Sequence, residues 1–146
     1  MSNKKNSLVN QFKNNILAIL SLSIAISALG YNSWRNELSE QNRNIRYAGF
    51  EIIKETTKLQ QFLDQTTFIK KEEQSNTPIE GWVRIRLINS LSMFMNNLVQ
   101  DKAKALYIQW RNSWQDLSSD EITNLQLSLN IEELIEEVRL ELSLLK

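Results

Sequence analysis

The chain contains no cysteine and no histidine, and only one proline and three glycines among its 146 residues. Without cysteine there is no disulfide framework and no thiol nucleophile. Without histidine, the usual partner of a serine or cysteine nucleophile and the usual bundle metal ligand are both missing. No glycine-rich phosphate loop is present. The sequence therefore reads as non-enzymatic, with no cofactor, no metal site and no evident small-molecule substrate. Punctuation this sparse favours long helices over strands and turns. An excess of basic charge is missing too, since 17 Lys/Arg balance 17 Asp/Glu. Residues 1–30 carry three lysines and no acid, which leaves 14 Lys/Arg against 17 Asp/Glu in residues 31–146. That slightly acidic body lacks the clustered basic face of nucleic-acid binders.

What is present is a long apolar run. Ile16 to Leu29 holds eight Leu/Ile residues, no charge, and polarity only in three serines. Extended to Asn15–Trp34 it reaches 20 residues, enough to cross ~30 Å of hydrocarbon at ~1.5 Å per residue. Lys13 closes one end, and Tyr31, Trp34 and Arg35 close the other, the residue types that anchor at the headgroups. Eight Leu/Ile at about −0.5 kcal/mol each give on the order of −4 kcal/mol for insertion. Two other readings fit the same stretch. It resembles a signal peptide with Lys4, Lys5 and Lys13 ahead of it and Ala28-Leu29-Gly30 as a cleavage site, which would release a secreted soluble bundle. It is also short enough to be a buried helix of a soluble core. The anchor is the leading reading, because aromatic and basic residues close it after Gly30. Ala18, Ser21, Ala25 and Ala28 share one face, the kind of small-residue surface on which membrane helices self-associate.

Three domains follow: a short basic leader over residues 1–14, a transmembrane helix over 15–34, and a helical bundle over 35–146. Flanking basic residues are tied three to three across the membrane. Keeping Lys4, Lys5 and Lys13 inside favours a cytoplasmic N-terminus and an external bundle. From Trp34 a heptad seam runs through Leu38, Gln41, Ile45, Ala48, Ile52, Glu55, Leu59, Phe62, Thr66 and Ile69. Phe50, Ile53 and Leu63 are expected to widen it into a bundle face. The spacing predicts a helix from the membrane to about residue 71, a linker over 72–77, and helices at about 78–99, 102–117 and 119–145. Pro78 suits a first helical position, with Thr77 and Glu80 as a capping box and Ser118 and Glu121 as a second. The second helix is expected to bury Val83, Leu87, Leu91, Phe94, Met95 and Leu98. The third starts at Asp101 and buries Leu106, Tyr107, Trp110, Trp114 and Leu117. The fourth uses Ile122, Leu125 and Leu129, then Leu134, Ile135, Val138, Leu142 and Leu145, with Asn130 and Glu133 as a restart signal and hence a kink or break near residue 130. Short connections imply an all-α, antiparallel up-down bundle.

Three clusters stand out. Glu132, Glu133, Glu136 and Glu137, with Glu141, lie on neighbouring faces of the last helix. They read as a solvated surface, or as a docking surface for a basic partner. Trp82, Arg84 and Arg86, and Trp110, Arg111 and Trp114, read as core closure, with the arginine stems covering the rings, or as an interface. Arg43 and Arg46 belong to a polar stalk or meet anionic lipid. The stretch WRNELSEQNRNIRYAGFE, Trp34 to Glu51, resembles a group of small bacterial single-pass membrane proteins with a helical C-terminal domain and no assigned function. That resemblance implies only the anchor-and-helix layout already read from the residues and supplies no site residue; the location expected is a bacterial inner membrane. The reading as a whole is a membrane-anchored interaction module. Its partners are lipid and a second copy or another membrane protein, joined through the anchor and the heptad helix. A helical-bundle sensor relying on a partner for output is the alternative.

Overall fold

A computed structural model describes residues 13, 15–68, 78–117 and 121–145. Helix α1 spans Ile16–Phe68, α2 Pro78–Ser92, α3 Asn97–Ser113 and α4 Glu121–Leu144, with no strand among the described residues. The protein is all-α, and its helices pack against one another. The chain divides into two compact units, Met1–Gln41 and Asn42–Lys146. The linker over 72–77, the two capping residues Thr77 and Ser118, Ile69, and the leader apart from Lys13 lie outside the described residues.

In the first unit every described side chain is exposed. The Ser21 and Ser23 hydroxyls donate to the carbonyls of Leu17 and Ile19 at 2.8 and 2.9 Å, so the helix itself satisfies these polar groups. Tyr31 and Trp34 pack ring to ring with centroids 6.1 Å apart. The reading of this stretch as a core helix is corrected here: none of its side chains is buried within the chain.

The second unit has one core. From α1 it takes Ala48, Ile52, Leu59, Phe62 and Leu63, from α2 Ile85 and Ile88, from α3 Val99, Ala103, Leu106 and Trp110, and from α4 Leu127, Ile131, Leu134 and Val138. The α1 contribution follows the heptad seam from Ala48 to Phe62. Those positions are used inside the same chain and are closed to a second copy. Phe50, expected to widen the inward face, is exposed. Glu55 interrupts the seam, and Thr56 beside it returns its hydroxyl to the Ile52 carbonyl at 2.6 Å.

The second helix stops at Ser92, short of the expected residue 99. Successive N–H groups of Met93, Phe94 and Met95 donate to Ser90, Leu91 and Ser92, tightening the last turn. Asn96 then adopts an extended conformation, and its side chain accepts from the Val99 N–H at 3.0 Å, capping α3. The run Leu91, Phe94, Met95, Leu98 keeps helical spacing across this turn, which hid the boundary. Leu98 consequently sits exposed at the start of α3 rather than in the core.

Helix α4 runs unbroken through residue 130. Asn130 donates its amide to Gln109 of α3, so it forms an interhelical contact where a break was expected. Ile122, Leu125 and Leu129 are exposed, and Leu127 and Ile131 are buried in their place. The expected break rested on Asn130 and Glu133 as a second helix-start signal, and that signal is not used: Asn130 serves the contact to α3 inside a continuous helix.

Candidate functional site

The second unit holds three chemically distinct places. The first is ionic. Glu55 is only 6% exposed, on the face of α1 that meets α2. Arg84 of α2 donates to its Oε2 at 2.9 Å and Lys58 to its Oε1 at 2.6 Å. Burial alone would raise the Glu55 pKa, but the hydrogen bonds and charges of Lys58 and Arg84 outweigh it and hold the carboxyl below its ordinary value. The side chain is an ionised brace that ties α2 to α1.

The second place is aromatic. Trp82 presents edge-to-face contacts to Tyr107, Trp110 and Trp114, with centroids 6.2–6.4 Å apart. Phe62 tilts against Trp110 at 5.9 Å. The Arg86 guanidinium sits 5.2 Å above the Trp82 ring, at cation–π distance. Helix α2 approaches Trp110 through Gly81, where any Cβ would collide with that ring. Of the arginines grouped with these tryptophans, Arg84 turns to Glu55, Arg86 covers an indole, and Arg111 stays exposed.

The third place is the outer side of α4. Glu132, Glu133 and Glu136 are exposed and Glu137 is half-buried. They line an open groove of about 560 Å³ together with Leu129, Leu140 and Lys102. Lys102 of α3 reaches Glu133 at 2.6 Å, and Arg139 reaches Glu136 at 2.6 Å. Both are surface pairs of small energetic weight. Glu141 is the exception in this cluster. It is buried, and both carboxylate oxygens accept the backbone N–H of Asn96, at 3.0 and 3.1 Å. A carboxylate there faces the positive end of the α3 dipole. The signal available in the sequence was the pair Asn96-Asn97, which marks a helix start. No local pattern tells that an acid 45 positions away meets it. Replacing Glu141 by Ala is expected to destabilise the bundle by about 1–2 kcal/mol, since it leaves a part-buried N–H without an acceptor. Chemical denaturation of the two proteins would measure this.

A smaller cleft of about 350 Å³ lies between α1 and α4, floored by Leu63, Ile122 and Leu125. Gln60 spans part of its rim, donating to Asp64 at 2.8 Å and Ser128 at 2.9 Å. Its polar groups are thereby engaged with one another. Among the described residues no set of acidic side chains is arranged to hold a metal ion.

No family model, curated protein or solved structure matches the chain. The site residues therefore stand on geometry alone. In the first unit, Lys13, Tyr31, Trp34 and Arg35 are exposed, as are Ala18, Ser21, Ala25 and Ala28. The last four lie within one face of α1 by helical spacing. In the second unit the structure brings the glutamates of α4 together with Leu129 and Leu140.

Proposed function

We propose that the protein is a membrane-anchored, non-enzymatic helical interaction module. Residues 15–34 span a bacterial inner membrane, with the N-terminus cytoplasmic and an up-down bundle outside. The observation that carries the reading is the exposure of the apolar run: α1 is long and apolar enough to cross a membrane, and none of that run is buried. Eight exposed Leu/Ile side chains at ~1.5–3 kcal/mol each would leave a penalty on the order of 12–24 kcal/mol in water. Lipid removes it. The inward-bonded serines and the Tyr31–Trp34 pair fit that environment. Self-association is assigned to the anchor face Ala18, Ser21, Ala25 and Ala28 and to the stalk positions Trp34, Leu38 and Gln41, because the seam beyond them is used within the bundle.

The test is membrane extraction of the full chain, wild type against Leu22→Asp with Ile26→Asp. Two carboxylates at about +3.5 kcal/mol each outweigh an insertion free energy of about −4 kcal/mol. The wild type is expected in the membrane pellet, released only by detergent, and the double variant in the soluble fraction. A wild-type chain that stays in water without detergent sinks the reading. Loss of residues 1–30 in the intact mass would identify a secreted bundle instead. In the same detergent extract, a strictly monomeric chain at every concentration removes the self-association.

A further inference from the structure

The outward face of α4 carries exposed apolar side chains on either side of its acidic patch. Ile122, Leu125, Leu129 and Leu140 are 68, 61, 50 and 54% exposed. Their spacings of three, four and eleven place them on one line down the helix. The line that builds the core is a separate one, through Leu127, Ile131, Leu134 and Val138. Beside the core stripe α4 thus carries a second one: Ile122 and Leu125 floor the cleft toward α1, and Leu129 and Leu140 lie at either end of a groove whose middle is acidic. Apolar side chains on a second helix face suit a second packing partner.

We infer that this groove receives an amphipathic helix of a partner protein, with apolar residues on Leu129 and Leu140 and lysines or arginines against the glutamates between them. Charge selects that occupant. A second copy laid along the same face would set carboxylates against carboxylates, and an anionic bilayer would be repelled. The Lys102–Glu133 and Arg139–Glu136 pairs are exposed and exchangeable, and the four glutamates outnumber these two cations. Leu129 and Leu140 are separated by roughly 16 Å along the helix axis, so the partner's apolar anchors lie about three turns apart. Recognition is helix-in-groove, with the apolar contacts giving affinity and the charges giving selectivity. The inference rests on the interaction-module reading and not on the anchor.

The chain has no native cysteine, so a fluorophore placed through Ser143→Cys reports the next turn of the same face. Detergent-solubilised full-length protein is titrated with a leucine–lysine amphipathic helical peptide, and with its leucine–glutamate counterpart. A second label through Gln61→Cys on α1 reads non-specific binding. The lysine peptide is expected to give a saturable blue shift at position 143 and none at 61, and the glutamate peptide none at either. Glu132→Lys with Glu136→Lys is expected to weaken the lysine peptide by roughly tenfold or more and to admit the glutamate peptide. Leu129→Ser with Leu140→Ser is expected to weaken the lysine peptide similarly. Equal binding by the wild-type and charge-reversed chains overturns the inference. So does an equal response at both label positions, or a blue shift that grows with protein concentration alone, which would assign the face to a second copy. A chain that binds the peptide but partitions into water keeps the groove and loses the anchor. A membrane-bound chain blind to the peptide does the reverse.

Discussion

Replacing Glu55 by Leu is expected to lower the melting temperature of the bundle by roughly 10–20 °C, and adding Arg84→Met to recover most of that loss. The single change removes the partner of a guanidinium that is only 24% exposed. Breaking a buried pair in this way costs about 3 kcal/mol or more, and a domain of this size shifts by about 4–8 °C per kcal/mol. The double change removes both charges. Buried ion pairs replaced by apolar residues of similar volume are often neutral or stabilising. Arg84 also holds its Nε without a hydrogen-bond partner, so the native pair is incompletely satisfied. Thermal melts of the four chains of the double-mutant cycle measure the coupling. Recovery absent from the double variant would show that Arg84 is not the reason Glu55 matters.

Acid extends this prediction. Burial works to raise the Glu55 pKa, and Lys58 and Arg84 overcome it, so the folded value lies below the ordinary one of about 4.5. A depressed carboxyl contributes stability that is complete above its unfolded pKa and is lost as pH falls through the folded value. The wild-type bundle should lose that contribution below about pH 4.5. The Glu55→Leu, Arg84→Met chain should not show it.

Gly81→Ala is expected to destabilise the bundle by about 2 kcal/mol, although helix propensity alone forecasts a gain of about 1 kcal/mol. The sign is set by the indole of Trp110, whose Cζ2 and Cη2 occupy the space a methyl would take, with Phe62 Cε1 only 3.4 Å away. Trp110 is 1% exposed and held on two sides by Phe62 and Trp82, so it has nowhere to retreat. Overpacking of this kind costs about 1–3 kcal/mol. Denaturant midpoints of the wild-type and Gly81→Ala chains measure the sign. A stabilised Gly81→Ala chain would mean that α2 does not approach Trp110 this closely.

The sequence discloses the helical class readily, because one proline and three glycines in 146 residues leave little else. The inward face of α1 is legible as well, since between Ala48 and Phe62 a single seam dominates. Helices α2 and α4 were harder for a physical reason. Both are apolar on two sides, and periodicity cannot rank two stripes of equal spacing. Val83 and Leu87 stood out in α2, and both are exposed, while Ile85 and Ile88 fill the core. The acidic cluster was visible as a cluster. Its division was not, because Glu141 differs from Glu137 only in meeting a helix start that the chain brings back from another part of the fold.

Trp82 stands edge-on to both Trp110 and Trp114, within 6.4 Å. Indoles at that separation share their excited states, so the near-ultraviolet circular dichroism of this chain belongs to the group and not to any one ring. Trp34 lies outside that group, in the other compact unit. The chain thus carries its own optical gauge of core integrity, and a separate indole, paired with Tyr31, beside the apolar run.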